Sequence, residues 1–154
     1  MEKRWMAQAI ELAVKNVREG GGPFAAIVVK DGKVISEGTN RVTSTFDPTA
    51  HAEIVAIREA CKALEDFQLH GCEIYTTCEP CPMCLGAIYW ARPARVYFAA
   101  TAADAAAAGF DDSLIYDQLR VPPAERSIPM IPLMPQEGAR PFEEWQRKPD
   151  KIRY

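Results

Sequence analysis

The sequence is poor in histidine, lacks any long hydrophobic run and carries no excess of positive charge. Only two imidazoles, His51 and His70, occur among its 154 residues. No segment approaches the roughly 20 apolar residues that span a bilayer, so we expect no membrane partner. The formal net charge of −3 argues against a protein that envelops a polyanion, so we expect no nucleic-acid partner.

Cysteine is present in an odd number, which argues against a framework of disulfide bonds. Two of the five cysteines, Cys81 and Cys84, have a spacing typical of metal ligands. The charged start of the chain, Met1–Trp5, lacks the pattern of a secretory signal peptide. Reduced thiols fit this usage better than disulfides, and we therefore expect a cytoplasmic protein.

A hairpin followed by alternating strands and helices is typical of an α/β fold. The Asp-Gly pair in residues 30–33 predicts a tight hairpin turn, and further strands are predicted over Glu73–Thr77 and Arg95–Ala100. A fifth strand over Met130–Leu133 is weakly supported, because prolines flank and interrupt it. We predict a three-layer α/β/α sandwich around a mixed five-stranded sheet.

Helices are predicted from apolar spacing and from capping residues. The first helix is predicted because four apolar residues recur at helical spacing: Met6, Ile10, Ala13 and Val17. A second helix begins near Ala50, and a third covers Cys81–Trp90. Thr101 and Asp104 resemble a capping box that opens an alanine-rich helix.

The composition changes beyond Arg120, where seven of the twelve prolines fall. We predict one domain over residues 1–154, in which residues 121–154 form a proline-rich C-terminal arm or lid. A short helix over Phe142–Lys148 is expected near its end.

Three residues have the types and positions of a catalytic zinc site. Cys81 and Cys84 lie three apart at a predicted helix start, so both thiols project from one face of its first turn. The helix dipole there lowers the pKa of a thiol, and the thiolate is the form that binds a metal. With His51, these thiols give three ligands and leave a fourth position for water. We predict one zinc ion per chain.

Glu53 is the candidate proton carrier. It lies two residues after His51, and side chains at a helix N-terminus lean back toward that end, where they can converge. His51-Ala52-Glu53 and Pro80-Cys81-Pro82-Met83-Cys84 match the H-x-E…P-C-x-x-C signature of zinc deaminases at every specified position.

Beyond this signature, the chain resembles the cytidine deaminase-like superfamily and, within it, the short bacterial guanine deaminases of the Bacillus type. The residues that carry the resemblance are Gly21–Phe24, Asn40, Asp47–Glu53, Cys78–Pro93, Ala108–Ser113 and Tyr154. The first two-thirds is nearly as compatible with tRNA adenosine deaminases, whereas Gly109–Ser113 and the aromatic Tyr154 resemble the guanine enzymes. Phe46 departs from the pattern, where a smaller or polar residue is expected at the rim of the pocket.

The resemblance implies a hydrolase that converts guanine to xanthine and ammonia. Zinc activates the water that attacks C2, and Glu53 moves protons. It implies that Asp112 accepts from the amino edge of guanine near the reacting carbon and that Asn40 contacts the ring. Phe24 and Trp90 are expected to form apolar walls.

The resemblance also bears on the C-terminal arm. It implies that Pro141–Tyr154, including the Tyr154 ring, covers the mouth of the active site. The site covered belongs to the same chain or to a partner in a homodimer with exchanged arms.

Simpler roles remain open for several of these residues. The zinc site would be structural if Cys72, Cys78 or His70 supplied a fourth ligand. Asn40 would be only a turn residue and Asp112 only a helix cap. Phe24 and Trp90 would be core residues and not pocket walls, and the C-terminal helix would pack on its own domain and not form a lid. The alternatives for the whole protein are a tRNA adenosine deaminase and a non-catalytic zinc-binding module.

Overall fold

The first two strands form a β-hairpin that closes at Asp31 and Gly32. The computed structural model describes residues 1–154. Both turn residues have positive φ, 49° and 70°, as the tight hairpin turn between twisted strands requires. The turn joins β1 (Ala25–Lys30) to β2 (Lys33–Thr39), which confirms the predicted hairpin.

The sheet contains four strands in the order β2-β1-β3-β4. Strand β1 pairs antiparallel with both β2 and β3 (Cys72–Cys78), whereas β3 pairs parallel with β4 (Arg95–Ala100). The sheet is therefore mixed, as predicted, and β4 forms one edge.

The predicted fifth strand is wrong. Residues Met130–Leu133 are exposed and form no ladder. Pro129 and Pro132 lack the backbone N–H that a ladder needs, and a short segment with two such interruptions cannot pair along its length.

Helices cover both faces of the sheet. Helix α1 (Glu2–Arg18) places Trp5 and Ala9 against one face, in a core that includes Ile27 and Tyr75. The opposite face carries a second core, which contains side chains from β1, β3 and the helices α3 (Ala52–Leu64) and α4 (Pro82–Ala91). The two cores confirm the three-layer α/β/α architecture.

Helix α1 confirms the first predicted helix, and its buried side only partly follows the apolar spacing. Ala13 is buried, but Trp5 and Ala9 are the other buried residues, and Ile10 is 41% exposed. The core-facing side therefore includes two residues, Trp5 and Ala9, that the spacing did not single out.

Helix α3 lies very close to β2, and a glycine makes this approach possible. A Cβ atom on Gly38 would overlap the Ala52 carbonyl oxygen and the Ala56 backbone nitrogen. The small residues Ala52, Ala56 and Ala60 form the fully buried side of the helix. Close packing of this kind fixes the N-terminus of α3, where His51 and Glu53 lie.

The chain divides into two compact units, Met1–Asp112 and Ser113–Tyr154. The first unit also contains α2 (Val42–Thr45) and α5 (Ala102–Ala107), and α5 has the predicted capping box. No helix in the structure combines the length and the apolar character needed to cross a membrane.

The second unit consists of short helices joined by proline-rich segments. It contains α6 (Ser113–Arg120), α7 (Arg140–Arg147) and two single 3₁₀ turns, Pro123–Glu125 and Glu137–Ala139. Helix α7 confirms the predicted terminal helix, whereas α6 was not predicted.

Candidate active site

Two helix N-termini carry the ligand-type side chains. His51 is the N-cap of α3 and has extended backbone geometry, with φ −68° and ψ 156°. Cys81 is the N-cap of α4 and is followed by Pro82, which is favoured at the first helical position because its missing N–H leaves no orphan donor. The Cys81 sulfur accepts a hydrogen bond from the Cys84 backbone N–H at 3.5 Å.

A turn before α3 fixes the approach of the chain to His51. The Asp47 carboxylate accepts hydrogen bonds from the backbone N–H of Thr49 at 2.8 Å and from its hydroxyl at 2.7 Å. These bonds lower the pKa of Asp47, because they stabilise its ionised form. The turn delivers the buried Ala50 and then His51 to the helix start.

The His51, Cys81 and Cys84 side chains form one cluster. The His51 Nδ1 atom lies 3.5 Å from the Cys81 Sγ and 3.5 Å from the Cys84 Sγ, and all three ligand atoms lie within 4.8 Å of one another. Tetrahedral zinc with bonds of about 2.0–2.3 Å places ligand atoms roughly 3.5–3.8 Å apart. The three residues therefore fit a zinc ion.

The other potential ligands bond elsewhere. The Cys78 thiol donates to the Thr101 carbonyl oxygen at 3.6 Å, and the Cys72 thiol donates to the His70 carbonyl oxygen at 3.9 Å. The His70 ring bonds the Gln68 side chain. The cluster thus consists of three protein ligands, which is the arrangement of a catalytic zinc site and not of a closed structural one.

The thiols of the cluster share a proton when no metal is bound. A hydrogen bond from the Cys84 thiol, supported by His51, lowers the pKa of Cys81 to about 4. The same bond, together with burial, raises the pKa of Cys84 well above its ordinary value. The hydrogen bond to Cys81 also raises the pKa of His51. The site thus holds one thiolate ready to bind a cation, and metal binding must displace the second thiol proton.

Glu53 lies in the first turn of α3 and is only 5% exposed. Its Oε1 accepts a hydrogen bond from the Thr76 hydroxyl at 2.5 Å. After the bond to Cys81 and burial, the charge of Glu53 further raises the pKa of Cys84, and it also contributes to the raised pKa of His51. The helix start therefore brings Glu53 to the same cluster as His51, although it is not one of the three ligands.

Asn40 and Phe24 lie together beside β1. The Asn40 backbone N–H donates to the Phe24 carbonyl oxygen at 3.1 Å, and the Asn40 Oδ1 accepts from the Val42 N–H at 3.2 Å. Because Oδ1 makes this local turn, the amide NH₂ is the part of the Asn40 side chain that suits a ligand's acceptor atom. The Phe24 ring packs against the core and meets Phe110 edge to face, with centroids 5.0 Å apart.

Asp112 is the last residue of the first unit and is half-buried. The pKa of Cys78 is raised to about 11, chiefly by burial. The negative charges nearby raise it further, and they belong to Glu53, Glu79, Asp104 and Asp112. Asp112 therefore lies within electrostatic range of Cys78, the first residue of the segment that leads to Cys81 and Cys84.

The roles of Trp90 and Tyr154 at the site stay predictions. Trp90 is 63% exposed and lies nine residues after Cys81, which is about 13 Å along the helix axis. Tyr154 belongs to the second unit and is 70% exposed.

Two further residues of the site escaped the sequence-based predictions. Thr76 contacts Glu53, and Phe110 contacts Phe24. The signal for Thr76 is a hydroxyl at an inward-facing position of an otherwise apolar strand, Cys72–Cys78. Only the fold shows which acceptor it meets.

A mixed α/β sandwich with one imidazole and two thiolates at facing helix starts defines a zinc-dependent hydrolase of the deaminase class. The sequence profile described as the cytidine and deoxycytidylate deaminase zinc-binding region matches residues 1–100. The chain therefore belongs to the cytidine and deoxycytidylate deaminase family of zinc-dependent enzymes.

Within this family, the chain is similar to a guanine deaminase over its full length. It is 53% identical over 151 residues to guanine deaminase of Bacillus subtilis, which covers 97% of each chain. The crystal structure of guanine deaminase from that organism matches with a TM-score of 0.96 and 52% identity, over 99% of this chain and 98% of that one. A tRNA-specific adenosine deaminase of Aquifex aeolicus is 46% identical over 92 residues, 60% of this chain and 61% of that protein.

Proposed function

We propose that this protein is a guanine deaminase, which hydrolyses guanine to xanthine and ammonia. The observation that carries deamination is the buried Glu53 beside a cluster of three metal ligands, which leaves the fourth position of a tetrahedral zinc ion without a protein ligand. The similarity to a guanine deaminase across 97% of both chains favours guanine as the base.

The residues of the cluster have separable roles. His51, Cys81 and Cys84 would hold the zinc ion. As a Lewis acid, zinc would make water nucleophilic near neutral pH. Glu53 takes the proton of the attacking water and gives it to the ring nitrogen next to C2. It then moves the proton of the added hydroxyl to the amino group, which leaves as ammonia when the C2–N bond breaks.

Asp112 and Asn40 are proposed to select the base. Guanine presents N1–H and the amino group as adjacent donors and O6 and N7 as adjacent acceptors. A carboxylate complements the donor edge, and an amide NH₂ complements an acceptor. Asp112 lies within electrostatic range of Cys78, and the backbone contact with Phe24 fixes Asn40. Phe24 is proposed as an apolar wall of the pocket.

The second candidate is a tRNA adenosine deaminase, favoured by the 46% identity to such an enzyme over 92 residues. Such an enzyme needs a basic surface for its RNA. This chain has a net charge of −3, and its residues from Val121 onward carry six Lys or Arg against five Asp or Glu. These charges favour the free base as the substrate.

A substrate panel tests the choice between the two candidates. Ammonia release is measured with guanine, adenine, cytosine, their nucleosides and an anticodon stem-loop, and the zinc content is determined on the same sample. We expect kcat/KM for guanine to exceed that for the stem-loop by at least about 100-fold, because a site built for one set of donors rejects the mismatched base. Preference for the stem-loop would reverse the assignment.

We further propose that the protein forms a homodimer with exchanged C-terminal arms, residues 121–154, that close the site of the partner. Large apolar side chains of the second unit are exposed in the single chain, which indicates that another surface covers them. They include Ile131, Leu133, Phe142, Ile152 and Tyr154. Tyr154 and Trp90 are proposed to contact the substrate in the closed site. The five free thiols support a reducing, cytoplasmic location.

A further inference from the structure

Strand β3 carries a hydroxyl group inside the hydrophobic core. Thr76 is completely buried, and its neighbours across the sheet are Ala26 in β1 and Phe98 in β4. Thr76 lies two residues after Ile74, so both side chains lie on the face of the sheet that packs against α3 and α4. A buried hydroxyl is costly unless it makes hydrogen bonds, so its partners define what it does.

The Thr76 hydroxyl lies between two acceptors. Its Oγ1 is 2.5 Å from the Glu53 Oε1 and 3.2 Å from the Cys78 carbonyl oxygen. A hydroxyl has one hydrogen to donate. The shorter distance is in the range of hydrogen bonds to an ionised carboxylate, so the hydrogen points to Glu53.

This bond joins two elements that each carry part of the site. Glu53 belongs to the first turn of α3, and Thr76 lies five residues before Cys81 on the strand that leads into α4. The carboxylate of a glutamate rotates about three side-chain bonds, and helix packing alone does not fix its plane. A hydroxyl on the rigid central sheet fixes one oxygen, Oε1, and leaves Oε2 as the oxygen available for proton transfer.

We propose that Thr76 is a positioning residue that holds the Glu53 carboxylate in the orientation needed for proton transfer. The proposal rests on the proposed function, because it assumes that Glu53 is the proton carrier. Thr76 does not touch the reacting atoms and acts through Glu53. A displacement of about 1 Å in a reacting group can cost roughly 100-fold in rate, so a single positioning bond has a large effect on turnover.

Substitutions at Thr76 separate its hydroxyl from its shape. Thr76→Val keeps the volume and removes the donor, whereas Thr76→Ser keeps the donor and removes a methyl group. Thr77→Val is the matched control, because the Thr77 hydroxyl is also in the core but accepts from the Ala25 backbone N–H at 3.1 Å. Each variant is purified as the full chain, and its zinc content, melting temperature, kcat and KM for guanine are measured.

We expect Thr76→Val to lower kcat by about 10- to 100-fold, with KM within roughly threefold and zinc content unchanged. Thr76→Ser is expected to restore kcat to within about threefold of the unsubstituted protein, since its hydroxyl reaches the same carboxylate. Thr77→Val is expected to lower the melting temperature and keep kcat, because it leaves a backbone N–H without its partner but does not touch Glu53.

Should Thr76→Val fail to fold, Thr76→Ala and Thr76→Ser provide the comparison, since both lack the methyl group and differ only in the hydroxyl. The proposal is overturned if the donor-free variant keeps kcat within threefold, or if Thr76→Ser is as slow as the donor-free variant. A Glu53→Gln variant measured in parallel separates this failure from failure of the proposed function. Loss of turnover in Glu53→Gln with normal turnover in Thr76→Val removes only the role of Thr76. Full turnover in Glu53→Gln removes Glu53 as the proton carrier and, with it, the role of Thr76. Absence of guanine turnover in the unsubstituted, zinc-loaded protein removes the proposed function itself.

Discussion

At the scale of single residues, Glu53 shows how position in a helix determines chemistry. A carboxylate that is 5% exposed needs compensation for its charge. The N-terminus of α3, the Thr76 hydroxyl and the adjacent His51 supply this compensation. The result is a proton acceptor next to the metal ligands and shielded from bulk solvent.

The first prediction concerns this carboxylate. Glu53→Gln is expected to retain one zinc per chain and lose turnover by about 10³- to 10⁴-fold, because an amide cannot accept a proton and Glu53 serves in more than one transfer. Zinc content by atomic absorption and xanthine formation by absorbance check the two parts. Substantial turnover in the zinc-loaded variant would remove Glu53 from the mechanism.

The second prediction concerns selection of the base. Asp112→Asn is expected to lower kcat/KM for guanine by at least about 100-fold, because the amide presents a donor to the donor edge of the substrate. Zinc content and melting temperature are expected to change little. Asp111→Asn, one residue away, is the matched control. If both variants keep the guanine rate, Asp112 acts only as a helix cap.

At the scale of elements, the end of α2 contains a strained residue. Phe46 has φ 52° and ψ 39°, the left-handed conformation that glycine adopts readily and a bulky aromatic residue rarely does. Its side chain is 94% exposed, so packing does not offset the strain. The residue lies directly before the Asp47 turn that leads to His51.

We therefore predict that Phe46→Gly stabilises the protein by about 1 kcal/mol. Phe46→Ala is the control that removes the aromatic ring and keeps the Cβ, and it is expected to leave the free energy of unfolding within about 0.5 kcal/mol. Urea unfolding of the two variants measures the difference. Equal stability of the glycine and alanine variants would show that the backbone at Phe46 is not strained.

Local signals predicted much of the fold because they act within a few residues. The Asp31-Gly32 turn, the Thr101–Asp104 capping box and strand β4 all depend on neighbours in the chain, and the structure contains each of them. The metal ligands were found from spacing for the same reason, since each helix start is a local feature.

The failures involve partners that are distant in sequence. The Thr76–Glu53 bond joins residues 23 apart, and Phe24 and Phe110 meet from opposite ends of the first unit. No periodicity encodes such pairs. The weakly supported fifth strand is absent because Pro129 and Pro132 lack the hydrogen-bond donors that a strand needs, and this effect outweighs the apolar character of the segment.

At the scale of the whole molecule, the second unit leaves many large apolar side chains in contact with solvent. Helix α7 lies in the middle of such residues, with Leu133 and Phe142 near its start and Ile152 beyond its end. An isolated chain with this surface is prone to associate. When two copies of the chain exchange their arms, each arm makes with the partner the contacts it would otherwise make with its own chain. A dimer of this kind therefore requires no new type of interface.

The fourth prediction is that removal of Lys151–Tyr154 raises KM or lowers kcat for guanine by about tenfold or more, because a closing arm expels water and strengthens polar contacts with the base. Zinc content and circular dichroism are expected to stay unchanged. Equal kinetics of truncated and full-length protein would mean that the arm packs on its own domain and is not a lid.

Hybrid dimers distinguish an exchanged arm from one that closes its own site. One chain carries Glu53→Gln with an intact arm, and the other keeps Glu53 but lacks residues 151–154. With exchanged arms, the intact arm of the first chain closes the working site of the second, so the mixture is expected to regain activity. A mixture with no more activity than its separate components would show that each arm serves its own chain.

The most direct test of the central claim is a titration of metal-free protein with zinc while xanthine and ammonia are measured from guanine. We expect activity to rise linearly up to one zinc per chain and then stay constant, with equal amounts of xanthine and ammonia. His51→Ala is expected to recover no activity, since the cluster loses one of its three ligands. Full guanine turnover by the metal-free protein, or none after one zinc is bound, would contradict the account.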